Sequence, residues 1–117
     1  MTAYSQGEVV IVPFPFSDLS DQKLRPALVL LDQSGSDLVL CQITSQAAGD
    51  SLAISLGNHD FAQGSLRLES KIRPDKLFTF QRTMVRYRCG KLNPNKTKEV
   101  VASLVRLLNG QTDVPRR

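Results

Sequence analysis

After Gly7 the chain runs Glu8-Val9-Val10-Ile11-Val12, and Pro13 and Pro15 mark the end of this short apolar stretch. β-branched side chains pack well on a pleated surface and lose freedom in a helix, so residues 8–12 are predicted to form a first strand. Arg25-Pro26 opens a second run, Ala27 to Leu31, with Pro at a strand start, where a missing N–H leaves no ladder bond unmade. Ser34-Gly35-Ser36 turns the chain into a third run, Leu38 to Ile43, and these two runs read as a hairpin. A weaker run, Leu52 to Leu56, ends at the turn signal Gly57-Asn58. From Ser65 to Ile72, leucine or isoleucine alternates with polar side chains, the period of a half-buried strand. Leu77 to Phe80 and Met84 to Cys89 complete the set of predicted strands. The stretch from Phe14 to Leu24, rich in Pro, Ser, Asp and Gln, is too long for a tight turn and reads as a long connection.

The period changes after Leu92. Asn93 suits a helix N-cap and Pro94 the first helical position. Val100, Val101, Leu104, Val105 and Leu108 then form one apolar stripe at helical spacing, and Asn109-Gly110 supplies the stop. The stripe either caps the sheet or forms part of a dimer interface. Seven short strands and one terminal helix predict a mainly β fold, a small antiparallel barrel or strongly twisted sheet closed off by a helix. Side chains fill so small a barrel, so a ligand is expected on the outer surface, in a loop mouth or between subunits.

Composition narrows the picture. A chain of 117 residues, 41% hydrophobic and 22% charged, fits a single domain, with a core over about 7–109 and a polar tail at 110–117. Its longest apolar runs fall far short of the roughly 20 residues of a membrane-spanning helix. The first residues show no basic and apolar leader pattern, so a cytoplasmic location is expected. Two cysteines, Cys41 and Cys89, are expected as reduced thiols rather than a bridge. One histidine, His59, excludes a catalytic histidine pair, and no spacing resembles a metal motif. Charge is unevenly spread. Residues 1–60 carry two cations and seven carboxylates, a net of −5, whereas residues 61–117 carry thirteen and four, a net of +9. Arg82, Arg86, Arg88 and Lys91 fall close together, which points either to a polyanionic partner or to a solvated basic face.

The ordered segments Gly7-Glu8-Val9-Val10, Pro13-Phe14-Pro15-Phe16-Ser17-Asp18, Lys23-Leu24-Arg25-Pro26-Ala27-Leu28, Ile43-Thr44-Ser45, Ser70-Lys71-Ile72-Arg73-Pro74-Asp75 and Gly90-Lys91-Leu92 resemble the PemK/MazF family of toxins from bacterial toxin–antitoxin systems. The resemblance implies an SH3-like small β barrel of the PemK/MazF (CcdB-like) type and a homodimer. It also implies metal-independent, sequence-selective cleavage of single-stranded RNA without a cofactor, and neutralisation by a cognate antitoxin with an acidic, disordered tail.

Metal-free RNA cleavage uses the neighbouring 2′-hydroxyl as nucleophile, so the protein supplies a base, donors for charge on phosphorus and help for the leaving 5′-oxygen. By resemblance, Arg25 and Thr44 are catalytic, with Ser45 assisting. On the residues alone, Arg25 is either a phosphate fork or a structural partner of Asp18 or Asp21. Arg73 and Asp75, two apart in an extended stretch, read either as electrostatic clamp and base or as a surface ion pair. Relatives place a histidine or glutamate before the Arg-Pro pair; here the loop offers only Asp18, Asp21 or Gln22 for that role. Phe14 and Phe16 either stack on splayed bases or plug the barrel mouth, and Arg82, Arg86 and Arg88 are candidate phosphate contacts. Two other functions fit the same pattern: an inhibitor of a protein target such as a topoisomerase, and a relative that binds nucleic acid without cutting it.

Overall fold

The structure is a computed structural model that describes residues 2–14, 23–33, 35–46, 49 and 51–111. Its strands are β1 (Glu8–Phe14), β2 (Lys23–Asp32), β3 (Asp37–Thr44), β4 (Ile54–Leu56), β5 (Phe61–Gly64), β6 (Ser70–Gln81) and β7 (Tyr87–Leu92), followed by helix α1 (Pro94–Leu108). They form one seven-stranded sheet in the order β4-β6-β3-β2-β1-β7-β5. Every pairing is antiparallel. The end strands β4 and β5 do not pair with each other, so the sheet curls into a half-barrel rather than closing. Among the described residues, no helix is long and apolar enough to cross a membrane.

The predicted hairpin of β2 and β3 forms, with Ala27 opposite Gln42 and Val29 opposite Leu40. Seven strands are present, as the hydrophobic pattern predicts, yet two of them are composed differently. The Ser65–Glu69 portion of the expected fifth strand is not a strand but a bend, even though Leu66 and Leu68 keep strand spacing. Leu66 packs on the core and Leu68 is exposed, so the alternation reflects a bend with one buried side chain. Ser70 to Gln81 form a single strand through Pro74, where two expected strands stood. Cys41 pairs with Leu77 while its neighbour Gln42 pairs with Arg73, so residues 74–76 bulge out of the ladder. Proline is tolerated there because no ladder bond is required of it. Strand β5 carries no alternating pattern and exists because Gly64 and Gly90 let it lie against β7. A Cβ at Gly64 would collide with the Cys89 carbonyl oxygen, and one at Gly90 with that of Gln63.

The two sides of the sheet bury different cores. One gathers Val9, Leu28, Leu30, Cys41, Ile43, Ile72 and Leu92 beneath Val100 of α1. The other gathers Val10, Val12, Ala27, Val29, Leu38 and Leu40 under Tyr4, Phe78, Phe80 and Val85. Helix α1 starts as expected, with the Asn93 side chain accepting a hydrogen bond from the Lys96 N–H at 2.8 Å. Its apolar stripe divides: Val100 is buried and Leu104 packs beside it, whereas Val105 and Leu108 are exposed. The helix therefore caps the sheet along one edge of the stripe and leaves the other edge open.

Candidate functional site

Strand register assembles the site. Arg25 stands opposite Val12 on β1, and continuing the β2–β3 register two residues beyond Ala27–Gln42 brings Arg25 opposite Thr44. On the other side of β3, Thr44 pairs with Lys71 and Gln42 with Arg73. Cross-strand partners share a sheet face, so Arg25, Thr44, Lys71 and Arg73 project to the same side. At this end of the sheet, where β2 begins and β3 ends, a groove of about 320 Å³ is lined by Arg25, Thr44 and Ser45, with Ile11, Pro26 and Ile43 contributing from the opposite alternation. It thus wraps across the strand ends. Its far wall is the bend Ser65–Leu68 together with Tyr87 and Cys89.

That wall is tied down by three hydrogen bonds. Cys89 Sγ donates to the Ser65 carbonyl oxygen at 3.0 Å, the Leu66 N–H donates to Asn58 Oδ1 at 3.1 Å, and Ser70 Oγ donates to the Leu68 carbonyl oxygen at 2.9 Å. Opposite it, Thr44 Oγ1 accepts a hydrogen bond from the Gln46 N–H at 3.1 Å. A hydroxyl that accepts in this way is oriented and still has its own proton to give.

The sequence-derived candidates separate into groups. Arg25, Thr44 and Ser45, from two strands, meet in the groove. Arg73 lies one strand further along on the same face and is half-buried, while Asp75 is exposed in the β6 bulge; neither lines the groove. The bulge interrupts the ladder between these two, so strand register fixes the face of Arg73 and not that of Asp75. Behind the bulge, Cys41 is fully buried and its Sγ donates to the Arg73 carbonyl oxygen at 3.1 Å. Burial, then the charge of Asp75, pushes the Cys41 thiol up to about 12, with the bond to Arg73 acting in the other direction. Both cysteines are free thiols.

The surroundings of one candidate for RNA contact, Arg82, correct it, and those of a second, Phe14, engage it in the fold. Arg82 is only 4% exposed. Its guanidinium makes a two-point ion pair with Asp32 and also donates to the Gly35 and Thr2 carbonyl oxygens at 2.9 and 2.7 Å. The hydrogen bond to Asp32 raises the Arg82 pKa further above its ordinary value. Four of its five N–H donors are engaged inside the fold, and the group is buried away from any phosphate. Phe14 packs edge-on against Phe78 with ring centres 5.5 Å apart, and Phe78 against Phe80 at 6.2 Å, so Phe14 belongs to an aromatic cluster. Arg88 is partly engaged as well, with Nε on Glu8 at 2.6 Å and its guanidinium over the Tyr4 ring. Arg86 is exposed beside the groove wall, its backbone N–H donating to the Ile11 carbonyl oxygen. Phe16, Asp18, Asp21 and Gln22 lie outside the described residues. Sequence reasoning missed Arg67 and Tyr87, both exposed in the groove wall. The signal for Tyr87 was present, since an aromatic residue stood inside the densest basic stretch of the chain.

The fold is shared with solved structures. An endoribonuclease in complex with its cognate antitoxin from mycobacterial species superposes with a TM-score of 0.72 at 15% identity, covering 98% of this chain and 100% of that one. MazF from Deinococcus radiodurans gives 0.72 at 22% identity, covering 93% and 99%. The MazE–MazF complex from the same organism gives 0.71 at 21%, covering 93% and 98%. No curated protein matches the chain in sequence. The model of the PemK-like, MazF-like toxins of type II toxin–antitoxin systems matches residues 5–108, nearly the whole domain, and the chain belongs to that family.

Proposed function

We propose that this toxin is an endoribonuclease that cuts single-stranded RNA at the Arg25–Thr44 groove without a metal ion. The observation that carries the reading is the meeting of Arg25, Thr44 and Ser45, from separate strands, in one open groove of a family-typical fold. Arg25 grips the non-bridging oxygens of the scissile phosphate through its fork, and the oriented Thr44 hydroxyl donates to one of them as charge builds on phosphorus. Arg73, one strand beyond Thr44 on the same face, adds a second positive charge at the groove's margin, and Asp75, exposed in the adjoining bulge, is the carboxylate assigned to accept the proton of the attacking 2′-hydroxyl from a strand that runs past the groove. The 2′-oxygen bonds to phosphorus as the P–O5′ bond breaks and the departing 5′-oxygen takes a proton from water, leaving a 2′,3′-cyclic phosphate on one fragment and a 5′-hydroxyl on the other. A cognate antitoxin with an acidic tail closes the groove, which joins Arg25 and Arg67 to the exposed apolar side chains of Leu24 and Leu68. The exposed edge of α1, with Val105 and Leu108, is offered to a second copy, and an RNA substrate fits a cytoplasmic protein.

Long single-stranded RNA incubated with the purified protein in EDTA tests the nuclease directly. Cleavage to cyclic-phosphate ends is expected. Intact RNA, with toxicity in cells that survives Arg25→Ala and Thr44→Ala, would instead favour a protein target.

A further inference from the structure

The described aromatic residues divide sharply by environment. Phe14, Phe78 and Phe80 engage one another edge to face, Phe61 packs on the core, and Tyr4 lies under the Arg88 guanidinium. Tyr87 differs: it is 57% exposed, and among the described residues its side chain has no hydrogen bond, ion pair or ring contact. Holding a large aromatic ring in water is unfavourable, and here the ring stands in the wall of the groove that also contains Arg25 and Thr44. Its placement is rigid at the backbone. Tyr87 pairs with Ile11 on the central part of the sheet, and two residues on, Cys89 holds the groove's far wall.

We propose that Tyr87 is a substrate-positioning residue, the platform on which a nucleobase of the RNA strand stacks while its phosphate lies on Arg25. This rests on the nuclease reading above and assigns it a binding element. The chemistry fits a single strand and not a duplex, because only an unpaired base presents its face to a side chain. The groove brings the required parts together: a flat ring for the base, Arg25 and Arg67 for the phosphates, and Ile11, Ile43 and Leu66 as an apolar floor. Phe14, whose edge-to-face contact with Phe78 occupies it, is replaced in this role by Tyr87.

The test compares wild type, Tyr87→Phe, Tyr87→Leu and Tyr87→Ala. Cleavage of a long unstructured RNA yields KM and kcat, and the binding of a fully 2′-O-methylated single-stranded RNA pool, which cannot be cut, is followed by anisotropy. A stacking platform is worth about 10-fold or more in affinity per base. Tyr87→Leu and Tyr87→Ala should therefore raise KM and the pool's Kd by that factor with little change in kcat, and Tyr87→Phe should restore both. Melting temperatures should stay close to wild type, since the ring is more than half exposed and its side chain makes no hydrogen bond or ring contact among the described residues. Wild-type cleavage with an unchanged KM and Kd in Tyr87→Ala overturns the platform and leaves the nuclease standing. A fall in kcat alone also overturns it. A wild type that neither cuts nor binds single-stranded RNA overturns both readings.

Discussion

Strand β2 carries Arg25 near one end and Asp32 at the other, and the two ends of the sheet treat an arginine in opposite ways. Near Asp32, Arg82 is enclosed, doubly paired and bonded to two carbonyl oxygens, and it fastens the N-terminal segment through Thr2. Near the other end, Arg25 is half-buried in the wall of an open groove beside a hydroxyl whose proton is available. A guanidinium is always charged, so its role is decided by what encloses it. The contrast also explains the charge pattern. The acidic first half and basic second half are neutralised against each other in space, through Asp32–Arg82, Glu8–Arg88 at 2.6 Å and Asp60–Lys96 at 3.7 Å. A net charge of +9 in residues 61–117 is therefore no measure of the surface offered to a polyanion.

Breaking the closed end should cost the fold. Arg82→Met removes the guanidinium that pairs with the buried Asp32 carboxylate, and a melting temperature lower by on the order of 10 °C is expected, with the remaining folded protein still cleaving RNA at 20 °C. Thermal unfolding followed by circular dichroism measures the loss. At the open end Thr44→Val, close in shape, should cut kcat by about 100-fold while the melting temperature holds. If cleavage persists at wild-type rate, the hydroxyl has no part in the reaction.

Smaller effects probe what lies between the two ends. Asn93→Ala removes the cap on α1 and should lower unfolding free energy by about 1 kcal/mol in urea titrations. The Cys41 thiol is pushed above its ordinary 9.0 to about 12, so folding favours its protonated form. That contribution is complete below pH 9 and is lost as pH rises toward 12; by pH 9.5 the loss amounts to about 1 kcal/mol. Wild type should lose that much more stability between pH 7 and 9.5 than Cys41→Val, and a thiol reagent at pH 8 should reach Cys41 only after unfolding.

Much of this architecture was legible in the sequence where the local signals were strong. The β-branched run of β1, the β2–β3 hairpin and the Asn93-Pro94 start of α1 all carry their own chemistry, and each forms where expected. Strand β5 was not legible, because Phe61-Ala62-Gln63-Gly64 has no alternation and depends on a distant glycine, Gly90. The bulge at 74–76 was hidden for the same reason, since register between β3 and β6 is a property of the pair. Within the site, Arg25 and Thr44 were found because family likeness marks them. Arg82 was misassigned because its partner Asp32 lies 50 positions earlier. Tyr87 was passed over because a groove wall is built from segments that no single stretch of sequence displays.

The most direct measurement pairs Arg25→Ala with Arg82→Met, recording for each both the rate of single-stranded RNA cleavage in EDTA and the melting temperature. The two arginines should give crossed results: Arg25→Ala stays folded at the assay temperature and loses about 1,000-fold in cleavage, while Arg82→Met melts early and cuts well when folded. An Arg25→Ala protein that still cuts at the wild-type rate would contradict the account.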